Sequence, residues 1–132
     1  MAEILYKELS YKIQGAFYSV RKALGNVHKE NVYHRALIEE FERIGLKVEN
    51  QKQIGVYYRD KKVGVYVPDL VIEDSVIIEL KCKPVLADND VDQFWHYLKG
   101  SEYRLGYLVN FGSDKGIQVI RRVYDTARAL SR

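Results

Sequence analysis

The stretch from Tyr66 to Cys82, Tyr-Val-Pro-Asp-Leu-Val-Ile-Glu-Asp-Ser-Val-Ile-Ile-Glu-Leu-Lys-Cys, constrains the fold more than any other part of the chain. It predicts two β-strands joined by a tight turn at Glu73-Asp74. Val67 to Ile72 and Val76 to Ile78 are mostly β-branched or leucine, which suits buried strands. Side chains alternate across a strand, so Val67, Asp69 and Val71 share one face, and Ile77, Glu79 and Lys81 share a face of the next strand. Three charged groups therefore sit on faces that also carry apolar residues. A buried carboxylate is costly unless something neutralises it. A divalent cation would do so, and Lys81 would add positive charge beside it. Against this, Glu-x-Lys is a common pair, and on an exposed hairpin face it is only a solvated salt bridge. Pro68-Asp69 at hairpin spacing brings the two readings level, and the rest of the case must come from elsewhere in the chain.

The chain has 132 residues, the length of one domain spanning 1–132. Apolar residues make up 47%, enough for one core. The net charge of +3 permits a basic patch without demanding nucleic acid. Cys82 is the only cysteine, which excludes an internal disulfide and fits a reducing cytoplasm. His28, His34 and His96 lack zinc-site spacing. No apolar run reaches transmembrane length, and the first residues lack the apolar core of a signal peptide. The expectation is a cytoplasmic protein with no membrane partner. Most of the eleven tyrosines are expected to be half-buried packing residues.

Residues from about Glu3 to Leu24 predict an amphipathic helix, with Leu5, Leu9, Ile13, Phe17, Val20 and Leu24 along one stripe and Gly25-Asn26 ending it. A second helix is predicted from about Lys29 to Arg43, closed by Gly45, with Glu30 in its first turn, where the helix dipole favours a carboxylate. Leu46 to Tyr58 reads as one strand with a bulge at Gly55. Arg59 to Lys62 reads as a turn and Val63 to Ile72 as the next strand, so that with Ser75 to Cys82 three strands form an antiparallel meander. Lys83-Pro84 breaks the pattern. Asp88, Asn89 or Asp90 caps a helix running to about Lys99, on which Gln93 and Tyr97 share a face. Tyr103 to Asn110 is a strand, expected to lie parallel to the Glu79 strand through a right-handed crossover. Ile117 to Val123 is an expected edge strand, and Tyr124 to Arg132 a basic tail or short helix. The order gives an α/β sandwich around a mixed central sheet.

In that order and spacing the chain resembles the GxxExxxR proteins, a small branch of the PD-(D/E)XK nuclease superfamily. The likeness rests on Lys22-Ala23-Leu24-Gly25, Glu30-Asn31-Val32-Tyr33 with Ala36-Leu37, and Gly45-Leu46-Lys47-Val48-Glu49. It continues through Asp69 with Glu79-Leu80-Lys81, Gln93 to Tyr97, and Leu108-Val109-Asn110-Phe111-Gly112. Gln93-x-x-x-Tyr97 also resembles the QxxxY motif of recombination-type exonucleases. Val27 stands where the family name calls for glycine, His34 where it calls for arginine, and Val67 where an arginine often precedes the family aspartate.

The resemblance implies a restriction-endonuclease-like fold and metal-assisted hydrolysis of a phosphodiester, with DNA as the nucleic acid. Asp69 and Glu79 would hold Mg²⁺ or Mn²⁺, with the Leu80 carbonyl as a further oxygen and Glu30 reaching the ion directly or through a water. Lys81 would orient the attacking water or stabilise developing charge, and Gln93 and Tyr97 would help place water or substrate. Lys83, Lys99 and Arg104 are candidate phosphate contacts, with solvated surface charge as their structural alternative. Two other functions stand beside this one. One is an inactive nuclease-fold module that binds nucleic acid or a protein. The other is a homodimeric endonuclease like the Holliday-junction resolvases, in which the Gln93/Tyr97 motif is less expected.

Overall fold

The apolar stripe of the first helix is where the described chain begins to pack. In the computed structural model, which describes residues 6–124, α1 (Lys7–Leu24) buries Ile13, Ala16, Phe17 and Val20. α2 (Glu30–Arg43) answers with Tyr33, Leu37 and Phe41. Phe17 meets Phe41 edge-on at 6.3 Å between ring centroids and Tyr107 at 5.6 Å, arrangements that suit the ring quadrupoles. Gly25 and Gly45 end the two helices at φ 70° and 84°, which glycine adopts without steric cost. Leu5 and the segment 125–132 lie outside the described residues, and with them the expectation of a tail or helix there.

Among the described residues seven strands follow. They are β1 (Val48–Asn50), β2 (Ile54–Tyr58), β3 (Lys61–Tyr66), β4 (Leu70–Ile72), β5 (Val76–Lys81), β6 (Leu105–Asn110) and β7 (Gln118–Val123). Five form a mixed sheet in the order β1-β4-β5-β6-β7. β4 and β5 are the expected hairpin, pairing Leu70 with Ile78 and Ile72 with Val76. Its turn has both central residues at positive φ, Glu73 at 53° and Asp74 at 48°, the hand that matches strand twist. β5 and β6 run parallel, joined as expected through a helix, α3 (Asp88–Gly100). A Cβ on Gly106 would stand 2.8 Å from the Phe94 ring, so this glycine lets α3 lie close on β6. β7 is the antiparallel edge.

The meander differs from its sequence reading. The expected strand from Leu46 to Tyr58 is two strands in two sheets, broken where Gln51 turns to φ 60°. The expected strand from Val63 to Ile72 is also two, interrupted at Val67-Pro68-Asp69, where proline has no N–H to give a ladder. The chain between these breaks folds back on itself as a separate β2–β3 ribbon, turning at Arg59 (φ 48°) and Asp60 (φ 66°). Its irregularity falls between Val56 and Tyr57 rather than at Gly55. β1 then pairs with β4, so the three-strand antiparallel order survives with the ribbon inserted in it.

The two faces of the sheet are covered differently. Leu70, Ile72, Ile78, Leu80 and Tyr107 join the α1–α2 core. On the other face Ile77 packs with Leu98 of α3 and with Ile54 and Tyr66 of the ribbon. Alternation along β5 puts Glu79 and Lys81 on the Ile77 face. The molecule is the mixed-sheet α/β sandwich expected from the sequence.

Candidate active site

Pairing between β4 and β5 stops at Leu70 and Ile78, and beyond that pair side chains replace the ladder. The Leu80 N–H donates to Asp69 Oδ2 at 2.7 Å, and the Asp69 N–H donates to Glu79 Oε1 at 3.1 Å. Glu79 thus holds the Asp69 N–H and Asp69 holds the Leu80 N–H where Pro68 has ended the strand. The Tyr66 hydroxyl adds a 2.6 Å bond to the same Glu79 oxygen. Asp69 Oδ1 and Glu79 Oε2 accept no hydrogen bond among the described residues. The Leu80 carbonyl points to the same side of the strand as its N–H, toward Asp69.

Two carboxylates held this close in a partly dry place disfavour a double charge. The Glu79 carboxyl is pushed up to about 7, first by burial and then by Asp69, while the bonds from Tyr66 and the Asp69 N–H and the nearby Lys81 pull it back. Burial and then the Glu79 charge push the Tyr66 phenol far above its ordinary range, so it stays a donor. The Lys81 side chain makes no ion pair and no hydrogen bond among the described residues.

Glu30 approaches from the opposite layer, as the first residue of α2. Its carboxyl is raised first by burial and then by Asp69, and lowered by Lys81 and His34, so it lies within electrostatic reach of the hairpin charges. It does not join them in a closed cage. Among the described residues no group of three or more His, Cys, Asp or Glu side chains is placed to hold an ion. The donor set around the hairpin is two facing carboxylates and a carbonyl, all hard oxygens. That set fits Mg²⁺ or Mn²⁺, which bind through one or two carboxylates and keep several waters, better than it fits a softer metal.

Gln93 and Tyr97 sit together on α3, with Gln93 Nε2 donating to the Tyr97 hydroxyl at 3.2 Å. The Tyr97 ring stacks on Tyr66 at 4.2 Å and 13°. Their link to Glu79 therefore runs through Tyr66. The three candidate phosphate contacts do not gather. Lys83 is paired with Asp90 at 2.7 Å. Lys99 lies over the Trp95 ring at 5.5 Å, on the flank of α3 away from Gln93 and Tyr97 at 100° per residue. Arg104 precedes Leu105, which pairs with Val76, so it stands at the other end of β5 from Lys81, roughly 20 Å away at 3.3 Å per residue. There it lines a polar cavity with Lys52, Asp74 and Tyr103.

Two residues escaped the sequence reading. Tyr66 opened the diagnostic stretch but carried no role, although it stands three residues before Asp69. In the sequence His34 stands out only as a departure from the family's arginine, yet its Nε2 lies 3.1 Å from the Asp69 carbonyl, a contact that needs the ring proton on Nε2. Its spacing of four from Glu30 put both on one face of α2, which was the available signal.

A family model described as the PD-(D/E)XK nuclease superfamily matches residues 7–123. Neither the curated proteins nor the solved structures give a match.

Proposed function

This chain belongs to the PD-(D/E)XK nuclease superfamily, and we propose that it is a Mg²⁺- or Mn²⁺-dependent nuclease that hydrolyses phosphodiester bonds of DNA. One observation carries the reading: Asp69 and Glu79 face each other with one uncommitted oxygen apiece, beside a Lys81 that has no partner among the described residues. Asp69 Oδ1, Glu79 Oε2 and the Leu80 carbonyl would hold the ion. When bound, the ion supplies positive charge to the phosphate and lowers the pKa of water. Tyr66 fixes Glu79 Oε1, which leaves Oε2 turned to the opening, and Tyr97 and Gln93 brace Tyr66 from α3. Lys81 offers its ammonium to the attacking water or to the charge developing on the phosphoryl oxygens. Glu30, outside the pair, orients a water at the rim. The finer likeness to the GxxExxxR branch and the QxxxY motif belongs to this proposal, with His34 holding the Asp69 carbonyl from the arginine position.

The experiment sets three variants side by side, each assayed for metal binding by calorimetry and for cleavage of linear, branched and single-stranded DNA. Lys81→Ala is expected to abolish cleavage while metal affinity holds or rises, because removing a cation leaves the site more negative. Asp69→Ala and Glu79→Ala are expected to lose both. An active Lys81→Ala enzyme would defeat this mechanism. A wild-type chain that binds these DNAs in the presence of metal but cuts none of them would instead make it a binding module.

A further inference from the structure

Among the described residues the β2–β3 ribbon pairs with no strand of the main sheet. Its base, Ile54 and Tyr66, is buried against Ile77 and Leu98. Exposure then rises toward the tip, where Tyr58 is 63% exposed, and Val63 and Val65 are exposed along β3. Arg59, Lys61 and Lys62 are crowded at the turn. Among the described residues none of their three side chains has an ion-pair or hydrogen-bond partner, and only Asp60 stands between them. The Arg59 guanidinium lies over the Tyr58 ring at 5.5 Å. Lys83, by contrast, is already neutralised by Asp90, and Arg104 is at the wrong end of the sheet.

The ribbon is also tied to the carboxylates. β3 runs from Lys61 directly to Tyr66, whose hydroxyl holds Glu79. Five residues of strand span about 17 Å. Successive phosphates along one strand of a duplex advance about 3.4 Å along the axis, so an arm laid along that axis would reach about five base pairs from the carboxylate pair.

We propose that the β2–β3 ribbon is the arm that holds the substrate duplex, with Arg59, Lys61 and Lys62 contacting backbone phosphates about half a turn from the scissile bond. This rests on the nuclease reading of the Asp69–Glu79 site. Phosphate contacts of this kind position a duplex without reading its sequence. The arm therefore gives affinity and register, not base preference. The occupant is a polyanion because the tip is cationic and unpaired, whereas the exposed valines lie along β3 behind it.

The test is the triple variant Arg59→Ala/Lys61→Ala/Lys62→Ala. Its binding to a labelled 20-base-pair duplex is followed by fluorescence anisotropy in EDTA, where no turnover occurs, at several salt concentrations. Its hydrolysis of bis(4-nitrophenyl) phosphate in Mn²⁺ is measured in parallel. Duplex affinity should fall at least about tenfold, and the slope of log K against log salt should flatten by roughly 2–3, near 0.9 per lost phosphate contact. Hydrolysis of the small diester, too short to reach the tip, should be unchanged, which also shows that the variant is folded. A wild-type chain that hydrolyses the diester and binds the duplex, with a triple variant matching it in affinity and slope, overturns the arm alone. If the wild-type chain neither binds the duplex nor hydrolyses the diester, the nuclease reading falls and takes the arm with it. A dimer in sedimentation that Val65→Lys disrupts, with duplex affinity intact in the triple variant, assigns the ribbon to a second copy of this chain instead.

Discussion

Glu79 is the residue on which the electrostatics of the site turn. Its folded pKa of about 7 lies above the ordinary 4.5, so the native metal-free protein keeps a proton that the unfolded chain gives up. The stability this contributes is fully present below about pH 4.5 and is lost as pH rises through about 7, on the order of 3 kcal/mol for such a shift. Urea unfolding of the metal-free protein should therefore show a decline between pH 5 and 8 that Glu79→Gln flattens. An equal decline in the variant would place its cause elsewhere. Metal takes the deprotonated form, so metal affinity should climb over the same range. Tyr66→Phe makes a sharper probe. The ring keeps its stack on Tyr97, but the bond that lowers the Glu79 pKa is gone. The pH midpoint of metal binding should move upward, with a stability loss of about 1–3 kcal/mol. An unmoved midpoint would make the Tyr66 hydroxyl a bystander.

The element that delivers Lys81 is pinned where β5 ends. Asn110, fully buried, accepts the Lys83 N–H at 3.0 Å and donates to the Lys83 carbonyl at 2.8 Å and to Gln118 at 2.8 Å. Gly112 passes so close behind that a Cβ there would stand 2.7 Å from the Cys82 carbonyl carbon and the Lys83 oxygen. Those are backbone atoms, which cannot swing aside as a side-chain tip does. Gly112→Ala should destabilise the fold by more than about 2 kcal/mol, and Asn110→Ala by about 1–3 kcal/mol through the orphaned Lys83 groups. Both should also weaken metal binding, because the knot begins two residues after Lys81. Chemical denaturation and metal titration of the two variants check this. Normal stability in Gly112→Ala would mean that the two loops are not locked together.

Across the whole molecule, the proposed site draws on both layers: Glu30 and His34 from the α1–α2 side, Gln93 and Tyr97 from the α3 side, and the hairpin between them. An ion held there binds the native state and not the unfolded chain. At a hundred times Kd that linkage is worth about 2.7 kcal/mol, which is several degrees of Tm for a chain of this size. Mg²⁺ or Mn²⁺ should raise Tm accordingly, and Asp69→Ala should lose the rise. The proposal of one domain over residues 1–132 adds that the transition should be single in calorimetry. A Tm indifferent to both ions at millimolar concentration would count against a competent site.

The sequence by itself determined the elements whose signals are local. The stripes of α1 and α2, the Glu73-Asp74 turn, the Gln93/Tyr97 spacing and the order of strands around α3 all follow from period, caps and turn residues. It put Asp69 and Glu79 on one hairpin but not opposite each other: a two-residue Glu73-Asp74 turn would set Asp69 across from Ile78, and the observed register pairs Ile72 with Val76, with Ser75 as a third loop residue. Only the tertiary structure decided where the long β segments divide. Leu46, Val48, Ile54, Val56 and Tyr58 keep one period-2 phase across the polar run Asn50-Gln51-Lys52-Gln53, and that run does not by itself say that the chain leaves one sheet at Gln51 to form another. Tertiary packing likewise gave Tyr66 its hold on Glu79 and His34 its contact with Asp69, through partners 13 and 35 residues away. It separated Lys83, Lys99 and Arg104, which look alike as charges in a sequence, because which end of a strand or flank of a helix a cation occupies follows from how the layers stack.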